Sequence, residues 1–156
     1  MDNNGSDEID ETVYNIIKVY LAQIDSSVKI SKIIHDHSQK GELTGDDIIC
    51  GLIYRLMTPM SPSEIDECLK TASDILEGSE SDESDEETDR EFDQIRETYE
   101  KPTISRKIIS NTCDCETCSR VRECLDNYPR HEPRDQLEQK FRDSIEKTCS
   151  EYKIYI

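Results

Sequence analysis

Three thiols fall within six residues in the segment Cys113-Asp114-Cys115-Glu116-Thr117-Cys118. Asp114, Glu116 and Thr117 between them leave no apolar face on which all three could be buried together. Thiolates at this spacing are suited to gripping a metal ion. Zinc takes sulfur at about 2.3 Å in a tetrahedron, and four protein ligands give a closed, structural site. Thiol–disulfide exchange between the Cys-x-Cys and Cys-x-x-Cys pairs, and an iron–sulfur cluster, are the competing chemistries. A zinc ribbon has two Cys-x-x-Cys pairs, whereas this segment has one, so the fourth ligand must come from elsewhere in the chain.

Cys149 is the expected fourth ligand, with Cys113, Cys115 and Cys118. Helical stripes follow the cysteine segment in two runs, Val121, Cys124, Leu125 and Tyr128, then Leu137, Phe141, Ile145 and Cys149, separated by Pro129 and Pro133. At 1.5 Å per residue the first helix climbs about 15 Å and the second descends about 24 Å. In an antiparallel hairpin Cys149 then returns to the level of the Cys113–Cys118 loop. Cys124 competes for the role, but it shares a stripe with Val121 and Leu125 and reads as a small buried hydrophobe. His131 lies in the turn at the far end. Cys50 and Cys68 fall on the apolar stripes of earlier helices. His35-Asp36-His37 looks like a chelate, yet side chains two apart on a helix point about 200° away from each other. These two histidines therefore read as a surface residue and a core-edge residue near a helix end.

No catalytic constellation accompanies the cysteines. The sequence has no Gly-rich phosphate loop, no nucleophile elbow and no Ser/His/Asp ordering, and Asp46-Asp47 serve a helix start. No catalytic residue is expected, and the chain is read as non-enzymatic.

The pattern predicts an all-α fold in three parts. Residues 1–77 form a four-helix unit. Its first stripe is Ile9, Val13, Ile16, Ile17, Tyr20, Leu21 and Ile24; Ser26 and Ser27 cap a second helix that stops near Gly41. Thr44 with Asp47, and Ser61-Pro62-Ser63-Glu64, carry the capping boxes of the third and fourth helices. Residues 78–101 are a disordered acidic linker, because Ser79 to Asp89 contain no apolar residue to bury. Helical tendency returns at Phe92, Ile95 and Tyr99. Residues 102–156 are a cysteine-rich helical hairpin module, within which 103–109 suits a strand or a short helix and the last five residues alternate as a strand does. The two units are expected to close on themselves separately.

Of the formal charge of −17, almost all sits before the cysteines: residues 1–77 hold 15 acids and 6 bases, 78–100 hold 11 and 2, and 101–156 hold 10 and 11. Such a charge repels phosphate backbones, so nucleic acid is a poor partner and a basic protein a better one. The arginines of the last segment alternate with acids and make a mixed-charge surface, not a nucleic-acid groove. No hydrophobic run approaches the ~20 residues of a membrane span, and the first residues lack the blocks of a signal peptide. Seven cysteines in such a chain imply an intracellular, reducing compartment.

The block Gly45-Asp46-Asp47-Ile48-Ile49-Cys50-Gly51-Leu52-Ile53-Tyr54-Arg55-Leu56, the tail from Cys113 to Ile156 and the Ile-, Asp- and Lys-rich composition resemble small proteins of the nucleocytoplasmic large DNA viruses, the mimivirus-like group especially. That resemblance implies a setting in the infected cell, in the host cytoplasm or the virion, and no particular activity. The expected function is a protein–protein interaction adaptor or regulatory subunit with a structural zinc, serving viral transcription or assembly. A zinc-containing transcription factor and a thiol-redox protein are the alternatives.

Overall fold

The structure, a computed structural model, describes residues 4–78 and 101–156. The expected acidic linker and the stripe at Phe92, Ile95 and Tyr99 lie outside the described residues. Among those that are described, five helices carry the fold: α1 (Asn4–Asp36), α2 (Gly45–Met57), α3 (Pro62–Gly78), α4 (Glu116–Asn127) and α5 (Gln136–Glu151). A single 3-10 turn, Tyr128–Arg130, begins the connection from α4 to α5. The all-α expectation holds.

The first helix departs from expectation. Two helices separated at Ser26-Ser27 become one of 33 residues, about 50 Å long. No Gly or Pro interrupts the run from Ile24 to Val28, so nothing forces a break. The serines do not cap: Ser27 and Ser31 donate their hydroxyls to the carbonyls of Gln23 and Ser27, 2.7 and 2.9 Å away, one turn back in the same helix. Residues 1–77 therefore hold three helices, not four. Small buried serines also let α2 approach closely, with Gly51 set against Ser27 and Ser31. On another side of α1, α3 packs through Ala22, Cys68 and Ala72.

Both expected capping boxes form. The Thr44 hydroxyl accepts from the Asp47 N–H and the Asp47 carboxylate accepts from the Thr44 N–H at 3.0 Å. Ser61 and Glu64 make the same exchange at the start of α3.

Packing removes the separation into two self-contained units. Ile34, Ile49 and Ile53 from α1 and α2 share one apolar core with Val121, Phe141 and Ile145 from α4 and α5. The apolar stripes of α4 and α5 both lie on α2, and the two helices also meet near their connection. There Arg142 stacks on the Tyr128 ring, 4.9 Å from its centroid, and donates to the His131 carbonyl. The stripe of α2 has apolar residues nearly all round, as a helix covered on several sides requires.

Within the ambiguous segment 103–109 two residues form a strand and none a helix. Arg106–Lys107 (β1) pairs in parallel with Ile154–Tyr155 (β2), with Arg106 opposite Ile154. Asp46, buried at the start of α2, holds this segment down. Its carboxylate accepts from both terminal nitrogens of Arg106 at 2.8 Å and from the Ile109 N–H at 2.7 Å. Burial pushes the Asp46 carboxyl up, but the Arg106 guanidinium and the Ile109 N–H outweigh it, leaving the group below the usual carboxylate range. A depressed carboxyl stabilises the fold fully above the unfolded value of about 3.9 and loses that contribution as pH falls through the folded value. Asp46→Ala is expected to cost about 2–3 kcal/mol at pH 7, since it strands the Ile109 donor and removes charged hydrogen bonds. Asp46→Asn should flatten the fall in stability below about pH 4. Urea melts at pH 7 and across the acid range check both expectations.

Candidate metal centre

The C-terminal end of α1 and the loop before α4 meet at the surface. The helix stops at Asp36, and His37 is the first residue beyond it. A tight turn follows, in which Ser38 returns its N–H and hydroxyl to the His35 carbonyl and Gln39 takes a φ of 57°. His37 still donates its N–H to the Ile33 carbonyl at 3.1 Å, so the end of α1 itself carries the ring to the cysteines, although it lies 76 residues from Cys113.

His37 Nδ1 stands 3.2 Å from Cys115 Sγ, 3.5 Å from Cys113 Sγ and 3.6 Å from Cys118 Sγ. All four ligand atoms lie within 4.8 Å of one another. In a tetrahedron with metal–sulfur and metal–nitrogen bonds of about 2.3 and 2.05 Å, each nitrogen–sulfur edge is about 3.6 Å. The three nitrogen–sulfur distances lie close to that edge, so the four atoms could hold one ion.

The cysteines are placed by the start of α4. Cys115 is its N-cap, and its Sγ accepts from the Cys118 N–H at 3.4 Å; Cys113 Sγ accepts in the same way from the Cys115 N–H. Asn111 donates to Cys118 Sγ at 3.2 Å and to the Ile34 carbonyl at 3.0 Å, tying the loop to α1. Arg122 holds Asn111 through its carbonyl at 2.9 Å and pairs with Asp114 at 3.7 Å. Donors aimed at sulfur favour thiolate, as a metal ligand requires.

The thiols differ accordingly. The Cys118 N–H, helped by the Cys113 and His37 side chains, brings Cys115 down to about 6. Burial pushes Cys118 up to about 11. Burial likewise raises Cys50, to about 12, and raises Cys68, Cys124 and Cys149.

Of the four expected ligands, the structure brings Cys113, Cys115 and Cys118 together and leaves Cys149 out. Cys149, 7% exposed, lies in the shared core with Ile145 and close enough to Cys50 to interact electrostatically. The reason is the position of α2. Both C-terminal helices pack on it, so the last turn of α5 meets α2 and not the cysteine loop. Cys124 is a half-buried packing residue beside Thr58, and Cys50 and Cys68 are core residues, as expected. His131 is not part of the cluster, nor is His35.

His37 is the residue that sequence reasoning missed. Its assignment as a helix-edge histidine assumed a helix continuing to Gly41. A histidine immediately before Ser-Gln-Lys-Gly, a polar helix stop, was the available signal. Nothing in the spacing ties it to cysteines so far along the chain.

With three sulfurs and one imidazole nitrogen as ligands, the arrangement can hold a metal ion in a closed set that leaves no tetrahedral position for substrate or water. It would clasp the end of α1 to the start of α4. Compared with protein-family models, curated proteins and solved structures, the chain matches none.

Proposed function

We infer that this protein is a non-enzymatic protein–protein interaction adaptor or regulatory subunit whose fold is clasped by one structural zinc on His37, Cys113, Cys115 and Cys118. The observation that carries the reading is the convergence of a helix-end histidine on three cysteines at tetrahedral edge lengths. Sulfur-rich ligation favours zinc among common divalent ions. An iron–sulfur cluster would interpose several atoms between its ligands and spread them further apart, so a single ion suits the spacing better. The resemblance of the α2 block and the C-terminal tail points to the infected cell, where viral transcription or assembly is the process we propose it serves. Among the described residues no helix is long and apolar enough to cross a membrane.

Charge supports a protein partner over nucleic acid. The formal −17 becomes more negative on zinc binding, because three thiolates outweigh the dication by one charge. The electrostatic attraction that supplies non-specific affinity for nucleic acid is then reversed. The zinc-loaded full chain should bind neither duplex nor single-stranded nucleic acid tighter than about 10 μM at 150 mM salt. Sub-micromolar binding, lost in Arg120→Ala with Arg130→Ala, would reject the adaptor and favour the transcription factor.

A further inference from the structure

The N-terminal half of α1 carries an apolar face that no other described element covers. Ile9, Val13, Ile16 and Tyr20 recur at intervals of four, three and four, with Ile17 beside them. One helical stripe results. Further along α1 the same stripe continues through Ser27, Ser31 and Ile34, all buried, where α2 packs. Coverage then ends. Gln23 donates to the Arg55 carbonyl at 3.2 Å, and α2 finishes two residues later at Met57 before Pro59 turns the chain away. Tyr20 still meets Phe141 of α5, with ring centroids 6.2 Å apart. Before it the stripe is bare: Ile9 is 64% exposed, Val13 49%, Ile16 48% and Ile17 44%. Adjacent exposed branched side chains make a contiguous patch of the kind that marks a binding surface.

Where the bare stripe meets the body it runs into a notch of about 200 Å³. Val19 and Tyr20 form one wall, and Leu56, Met60, Leu137 and Phe141 the others. A track of exposed apolar helix ending in a side-chain-sized notch has the form of a helix-in-groove site. A partner helix would lie along α1 and place one anchor residue in the notch.

Charge decides between occupants. Asp10 flanks the stripe, Asp135 and Glu138 in the notch are balanced by Arg55 and Arg134, and the protein as a whole carries −17. A second copy would bring its own −17 to the same place, whereas a basic helix meets complementary charge. We propose that the face formed by Ile9, Val13, Ile16 and Ile17, with the Leu56–Leu137 notch at its inner end, docks a basic amphipathic helix of a partner protein. This rests on the adaptor reading and names the partner's chemistry.

The test uses the zinc-loaded full chain and two fluorescein-labelled 18-residue helical peptides, one of leucine and lysine and one of leucine and glutamate in the same pattern. Fluorescence anisotropy is read at 150 mM salt. The lysine peptide should bind with a Kd of about 1–50 μM. Binding should weaken at least tenfold in Val13→Gln/Ile16→Gln/Ile17→Gln, which preserves charge at exposed sites, and the glutamate peptide should bind at least tenfold more weakly than the lysine peptide. Leu137→Gln, on a different helix, should weaken binding independently through the notch. Undiminished binding by both variants would reduce the attraction to net charge and overturn the proposal, as would equal affinity for the two peptides. A concentration-dependent dimer in sedimentation, abolished by the triple variant, would give the face to a second copy instead. Absence of lysine-peptide binding at full zinc content would remove this face, whereas sub-micromolar nucleic-acid binding would remove the adaptor reading itself.

Discussion

Purified without chelator, the protein should contain one equivalent of zinc, and His37→Ala should weaken that zinc at least about a hundredfold while Cys149→Ser leaves it in place. A four-ligand structural zinc is held by roughly 10–16 kcal/mol in all. One ligand in four then accounts for about 3 kcal/mol, or two powers of ten in affinity. Cys149→Ser puts a hydroxyl into the core and should lower stability by about 1–3 kcal/mol, but its sulfur takes no part in the His37 cluster. Competition against a chromophoric chelator reads the affinity. Cobalt substitution reads the ligand set, because exchanging nitrogen for sulfur in His37→Cys shifts the visible bands. Loss of metal in Cys149→Ser with retention in His37→Ala would invert the assignment. Removing the metal should loosen the 111–118 loop and the end of α1 and expose Cys115 to alkylation. The α2-centred core should survive, since its apolar contacts do not pass through the site.

The second large effect is expected at Gly51. A methyl group there would lie inside contact distance of the Ser31 hydroxyl and the Ser27 carbonyl, and 3.1 Å from the Ser31 nitrogen. Alanine is worth up to about 1 kcal/mol more than glycine in a helix interior. Here that gain is outweighed, because α1 and α2 must separate and the core that joins α2 to α4 and α5 must follow. Overpacking of this kind costs about 1–3 kcal/mol and sometimes more, so Gly51→Ala should be destabilised by at least about 1 kcal/mol net in a urea melt. Adding Ser31→Ala should recover only part of the loss, because a hydroxyl can be deleted but the Ser27 carbonyl cannot. Full recovery, or a more stable Gly51→Ala, would mean that the helices do not meet at this glycine.

Local features were legible because their causes are local. The capping boxes at Thr44 and Ser61 depend on atoms within one turn, and the stripes of α2 to α5 depend only on helical period. The clustered thiols announced a candidate metal site for the same reason, since Cys113, Cys115 and Cys118 need no distant residue to converge.

What the residue pattern could not supply was the partner of each stripe. Ser26 and Ser27 have the chemistry of a cap and also that of a close helix contact, and the approach of Gly51 selects the second. The stripes of α4 and α5 were equally consistent with packing on each other or on a third helix. Because α2 takes that place, two expected units share one core and Cys149 is drawn into it. His37 reaches the cysteines because the end of α1 carries it to a loop that Asn111 ties to the Ile34 carbonyl. Residues 76 apart leave no spacing rule to read; packing free energy, summed over the whole α2 surface, sets which ends of the chain meet.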